Sequence, residues 1–113
     1  MYAICFYAPT ADADAVKEAM FAADAGHIGH YDRCCWQTDG HGQFRPLPGS
    51  HPAIGDAGHD TRVPETRVEM VCDDEHLQDA IAALRRAHPY ETPAFHYWPV
   101  NQPPPPPSHA PGL

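Results

Sequence analysis

The period of the apolar positions changes along the chain, and each change marks an element. Tyr2 to Ala8 reads YAICFYA, an apolar, aromatic-rich run of strand length that Pro9 stops. From Thr10 the period becomes helical. Ala13, Val16, Met20 and Ala23 recur at spacings of three and four, Thr10 is placed to cap, and Asp12 and Asp14 suit the positive helix start. Gly26 is expected to end this helix as the residue that tolerates a left-handed turn. Tyr31 to Thr38, YDRCCWQT, reads as a second strand. The glycine-bracketed Asp39-Gly40-His41-Gly42 then predicts a turn, with Gln43-Phe44-Arg45 pairing back as a hairpin. Pro46 to Thr61 is a loop punctuated by Pro48, Gly49, Pro52, Gly55 and Gly58, and a loop of that length in a small domain is often functional. Glu65 to Cys72 alternates Val68, Met70 and Cys72 with Arg67 and Glu69, as a half-buried strand does. Asp73 or Asp74 caps a second helix, whose Leu77, Ala80, Ile81, Leu84 and Ala87 form one apolar face before Pro89 terminates it. Ala94 to Val100 is the last strand.

This order predicts an α+β, ferredoxin-like β-α-β-β-α-β sandwich: an antiparallel sheet with two helices on one face. The folded domain is expected over residues 1–100. The proline-rich remainder, residues 101–113, is expected to be a disordered, polyproline-like tail. Two helices cover one face of a sheet, so the other needs a cover. With Tyr2, Tyr7, Trp36, Tyr97 and Trp98 on the strands of that sheet, self-association as a homodimer or homotrimer supplies it.

Charge narrows the partners. Fifteen Asp and Glu against seven Lys and Arg give a formal net charge of -8, which disfavours nucleic acid and anionic membrane surfaces, since both demand clustered cations. No apolar run approaches the roughly 20 residues of a membrane span, and Met1 to Pro9 lacks the pattern of a signal peptide, so a cytoplasmic home is expected. Cys5, Cys34, Cys35 and Cys72 form no Cys-x-x-Cys pair and read as reduced thiols. The nine histidines make metal binding worth weighing.

Two motifs carry candidate chemistry. In Gly26-His27-Ile28-Gly29-His30, two imidazoles after a helix can aim at one cation, or else His27 caps the helix's carbonyl end. In His88-Pro89-Tyr90-Glu91, proline forces the preceding residue out of helical geometry, so His88 and Glu91 converge across the turn as a metal or polar-ligand pair. The alternative pairs Glu91 with Arg85 or Arg86. Taken together, His27, His88 and Glu91 are the predicted ligands of a divalent transition metal or polar ligand, within reach of one another in one subunit or across an interface, approaching from neighbouring turns if both helices end at one edge of the sheet. Cys34 and Cys35 point to opposite sides of their strand, and only one can pair with His27 or His88 as a nucleophile. No phosphate-binding glycine fingerprint is present. The balance favours a binding or assembly module over an enzyme.

The run GHIGHYDRCCWQTDGHGQFRPLPGSHPAIGDAG, Gly26 to Gly58, and the later HPYETPAFHYWPV, His88 to Val100, resemble the CutA-like (PII-like) domain inserted into YqfO proteins of the Nif-three-like family. The HPYE element also resembles the C-terminal stretch of CutA itself. The resemblance implies a ferredoxin-like fold that oligomerises, typically as a trimer. The two-metal site of YqfO proteins belongs to their flanking domain, which this chain is expected to lack, so that chemistry is not implied here.

Overall fold

The computed structural model describes residues 1–104; the part of the expected tail beyond them lies outside the described residues. Strand β1 is Tyr2–Pro9, helix α1 Ala13–Ala22, strand β2 Trp36–Phe44 and strand β3 Thr61–Cys72. A 3-10 turn at Asp74–His76 leads into helix α2, Leu77–Ala87, and strand β4 is Phe95–Pro99. The four strands form one sheet in the order β2-β3-β1-β4, each neighbouring pair antiparallel. This is the predicted ferredoxin-like arrangement. No helix among the described residues is long and apolar enough to cross a membrane.

Alternation along the central strands fills the core. Ile4, Phe6 and Ala8 of β1 and Val68, Met70 and Cys72 of β3 point to one side, where Val16 and Met20 of α1 and Leu77, Ala80 and Leu84 of α2 meet them. Phe6, Ile4, Met20 and Leu84 are among the largest side chains fully removed from water, each contributing roughly 1.5–3 kcal/mol of apolar burial. Asp73 caps the entry to the second helical segment by accepting from the His76 amide. Pro89 forces His88 into an extended backbone, ψ 135°, which ends α2 where the sequence predicts.

Two local expectations are corrected. Asp39 to Gly42 is not a turn: β2 runs straight through it, from Trp36 opposite Glu69 to Phe44 opposite Thr61, so the hairpin partner is β3 and the connection is the long loop. Neither Gly40 nor Gly42 has a positive φ. Gly42 is instead a place of close approach, because a Cβ there would meet the Glu65 carboxylate lying across the strand. At the end of α1 the expected Gly26 is left-handed, φ 86°, but the helix has already ended before it, and Asp24, φ 71°, is a second left-handed residue two positions earlier.

Register divides the aromatic residues between the two faces of the sheet. In an antiparallel ladder directly opposite residues share a face. Tyr97 stands opposite Ile4, and Tyr2 packs edge-on against Tyr97 at 5.9 Å, so both lie on the helix side. Trp98 stands opposite Ala3, and Trp36 opposite Glu69, so both tryptophans lie on the face away from the helices, with Tyr7 and Arg67. That face has small residues, Ala3 and Cys5, along its floor between bulky flanks. Trp36 is 59 % exposed and Trp98 38 %.

Candidate functional site

The two sequence motifs sit at opposite ends of the sheet. Strand β1 runs from one end to the other, α1 returns, and α2 runs back again, so the two helices end at opposite edges. Gly26 donates its amide to the Val71 carbonyl at 2.8 Å, and Val71 faces Ala3 near the start of β1. The His88 ring meets the Tyr7 carbonyl near the end of β1. Four residues of strand, roughly 14 Å at about 3.4 Å per residue, separate these anchor points. Within one subunit His27 therefore does not join His88 and Glu91, contrary to the expectation of one edge.

At the first end, His27 does not cap α1, whose last carbonyls are taken by the amides of Ala23, Asp24 and Ala25. Its half-exposed ring faces Asp24, Nε2 to Oδ1 3.8 Å, while His76 Nε2 lies 3.5 Å from the other oxygen of Asp24. His76 Nδ1 is bonded to Asp73 Oδ1 at 2.6 Å. That hydrogen bond, helped by the fields of Asp73, Asp24 and Glu75, holds the His76 imidazole above its ordinary range against the opposing cost of desolvation. Asp73, Glu75 and His76 also bring ligand atoms within 4.8 Å of one another. Sequence spacing alone pointed His27 toward His88; its histidine neighbour across Asp24 is His76, 49 positions away, and no periodicity signals that pairing.

At the second end, His88 is 6 % exposed and both ring nitrogens are engaged. A carbonyl can only accept, so Nε2 carries the proton and donates to Tyr7 at 2.7 Å. Nδ1 then accepts from the Tyr90 amide at 3.1 Å. This neutral tautomer has no lone pair left for a cation, so the imidazole is an internal brace for the Pro89 turn. Glu91 pairs with neither arginine; its Oε1 accepts from the His51 amide at 2.9 Å, and Arg85 lies over the Phe95 ring. Glu91 thereby ties the long loop to the turn after α2.

Between them opens a cleft of about 260 Å³. Phe44, Pro46, Pro52 and Ile54 supply apolar walls, and Tyr90, edge-on to Phe44 at 5.6 Å, lines it beside Glu65 and Glu91. The Tyr90 hydroxyl donates to Glu65 Oε2 at 3.2 Å. Burial first, and then the neighbouring Glu65 carboxylate, pushes the Tyr90 phenol up to about 12. Phe44 and Glu65 were not among the predicted site residues. Pairing of β2 with β3 and the Gly42 gap place them there, and a strand misread as a turn conceals both. His51, in the long loop, enters through its backbone amide.

The cysteines carry no site of this kind. None is paired; Cys5 and Cys72 are buried, and burial pushes the Cys72 thiol up to about 11. The Cys34 sulfur sits 3.6 Å from the Asp32 carbonyl.

No family model matches the chain. Over 98 residues it is 46 % identical to the GTP cyclohydrolase 1 type 2 homolog of Mycobacterium tuberculosis, covering 87 % of this chain and 26 % of that protein. The protein of the same name in Bacillus subtilis is 38 % identical over 101 residues, covering 89 % of this chain and 27 % of that protein. A crystal structure of a Bacillus cereus protein related to NIF3 superposes with a TM-score of 0.76 at 32 % identity, covering 89 % of this chain and 26 % of that one. Homology to the YqfO/NIF3 family is thereby shown. The chain spans about a quarter of the length of the YqfO/NIF3 relatives it matches. CutA from Archaeoglobus fulgidus, described as a periplasmic divalent cation tolerance protein, superposes over 93 % of this chain and 89 % of its own with a TM-score of 0.65. At 15 % identity that likeness establishes the CutA/PII-like fold of this YqfO/NIF3 relative and nothing about its ligands.

Proposed function

We propose that this chain is a self-associating, CutA/PII-like module that binds a small molecule in the cleft between the long loop and the His88–Glu91 turn. One observation carries the reading: the cleft is held open by placed hydrogen bonds, with Glu91 fixed by the His51 amide, Glu65 by Tyr90, and the turn by the buried His88. Apolar walls with a few fixed polar groups are the usual make-up of a small-molecule site. Binding suits the cleft better than catalysis, since its fixed polar groups already have hydrogen-bond partners. The unpaired cysteines favour a reducing, cytoplasmic setting, and the net charge of -8 argues against nucleic acid.

A metal centre made of His27, His88 and Glu91 would have to be assembled from two subunits, and His88 would have to give up a bond to backbone to serve it. The test is an amide NMR titration with a fragment library and, separately, with zinc ions. Fragments are expected to move the Phe44, Tyr90 and Glu91 resonances together. If nothing moves them, the ligand-binding reading is wrong; if zinc moves His27, His88 and Glu91 jointly at the stoichiometry of an interface, the metal centre stands.

Self-association rests on the exposed tryptophans flanking Ala3 and Cys5 on the open face. Light scattering at micromolar concentration is expected to give two or three times the 12.4 kDa chain mass. Trp36→Glu is expected to lower it toward one chain. A clean monomer for the unaltered protein would defeat the proposal.

A further inference from the structure

We infer that the cleft selects an organic cation, an apolar stem carrying a protonated amine or amidine; this rests on the small-molecule reading proposed above and names its ligand class. The lining brings two carboxylates, Glu65 and Glu91, to apolar walls and contains no lysine, arginine or histidine among the described residues. Each carboxylate is half-committed: Glu65 Oε2 to the Tyr90 hydroxyl and Glu91 Oε1 to the His51 amide. The second oxygen of each has no bond to a described side chain or amide, and an ionised carboxylate offers about four acceptor sites in all. Gln43, Ser50 and Thr92 offer neutral donors, but a cationic donor is what the cleft lacks, and an ammonium group supplies three N–H bonds. An anionic ligand such as a phosphorylated one would meet two negative charges and no compensating cation.

The walls separate an organic cation from a bare one. Phe44 and Tyr90 present ring edges and faces, which attract both an apolar stem and a cation lying over the ring. A metal ion would gain nothing from Pro46, Pro52 or Ile54. The Glu65 and Glu91 carboxylates do not belong to the one group of described side chains whose ligand atoms converge closely enough for a metal, which is Asp73, Glu75 and His76 at the other end of the sheet.

The geometry at Gly42 strengthens the assignment. The Glu65 carboxylate lies where a Cβ at position 42 would be, so the strand opposite has no side chain there and the carboxylate can lean across β2 beside Phe44. Gly42→Ala is expected to displace Glu65 while leaving the ladder intact, since position 42 has ordinary extended backbone.

The experiment compares three probes with one aromatic skeleton and different charge: phenethylamine, 2-phenylethanol and phenylacetate, titrated into the full chain and followed by amide resonances of Phe44, Tyr90 and Glu91. The amine is expected to bind about tenfold tighter than the alcohol, the scale of one charge-assisted bond, with the acid weakest. Glu65→Gln and Glu91→Gln keep the side-chain shape and the carbonyl that Tyr90 or His51 needs, and each is expected to reduce the preference for the amine; Gly42→Ala should do the same. If the alcohol or the acid binds the cleft as well as the amine does, the cation assignment is overturned and the small-molecule reading survives. If none of the three perturbs these resonances, both fall together.

Discussion

His88→Ala is expected to lower stability by about 3 kcal/mol, because it strands two backbone groups at once. The Tyr7 carbonyl loses the Nε2 donor and the Tyr90 amide loses the Nδ1 acceptor, and both are held against a ring that is 6 % exposed. Each unsatisfied buried group costs roughly 1–3 kcal/mol, and the emptied space adds a smaller term. His88→Gln, which can present both a donor and an acceptor, should recover part of the loss. Urea unfolding of the two variants measures this directly. A loss below about 0.5 kcal/mol for His88→Ala would show that the ring is not the brace described here and would free it for a ligand. The same substitution should weaken the cleft, since the turn that carries Tyr90 and Glu91 hangs from His88.

The other large effect lies at the centre of β1. Phe6 is fully buried between Val68 of β3 and Phe95 of β4, under both helices. Phe6→Ala is expected to cost about 3–5 kcal/mol, the transfer free energy of the ring plus the cavity it leaves. For a domain of this size that corresponds to a fall in Tm of at least about 12 °C. Phe6→Leu, which keeps most of the volume, should cost less than half as much. Thermal unfolding that shifted by only a degree or two for Phe6→Ala would contradict the placement of this ring in the core. Unlike His88→Ala, the Phe6 substitution should leave the preference among cleft ligands unchanged at temperatures where the protein is folded.

Both predictions turn on residues whose roles differ in how visible they are from the chain alone. Phe6 belongs to an apolar run with strand period, and its burial follows from local pattern. His88 follows a helix and precedes a proline, which is enough to predict a bend but not what the ring does there. The ring's partner is a backbone carbonyl 81 positions away, and backbone carries no sequence signal for such a bond. The same reasoning explains Glu91, read as half of a metal pair or as the mate of an arginine, whose partner is the amide of His51.

What the sequence by itself determined is the set of elements and their order: β1, both helices, β3 and β4 follow from hydrophobic period, caps and prolines, which are local and act within a few residues. That order leaves little choice but a four-stranded sheet carrying two helices on one face. Only the tertiary structure decided which ends of those elements meet. A glycine at 42 reads as a turn until Glu65 is seen lying across it, and two histidines after two helices read as neighbours until the antiparallel course of α1 and α2 sends them to opposite edges. Register chose which tryptophans and tyrosines face away from the helices, because a single step along a strand reverses the face of every side chain. Contacts between residues tens of positions apart depend on this register and on helix direction, and neither is encoded in any local window of the chain.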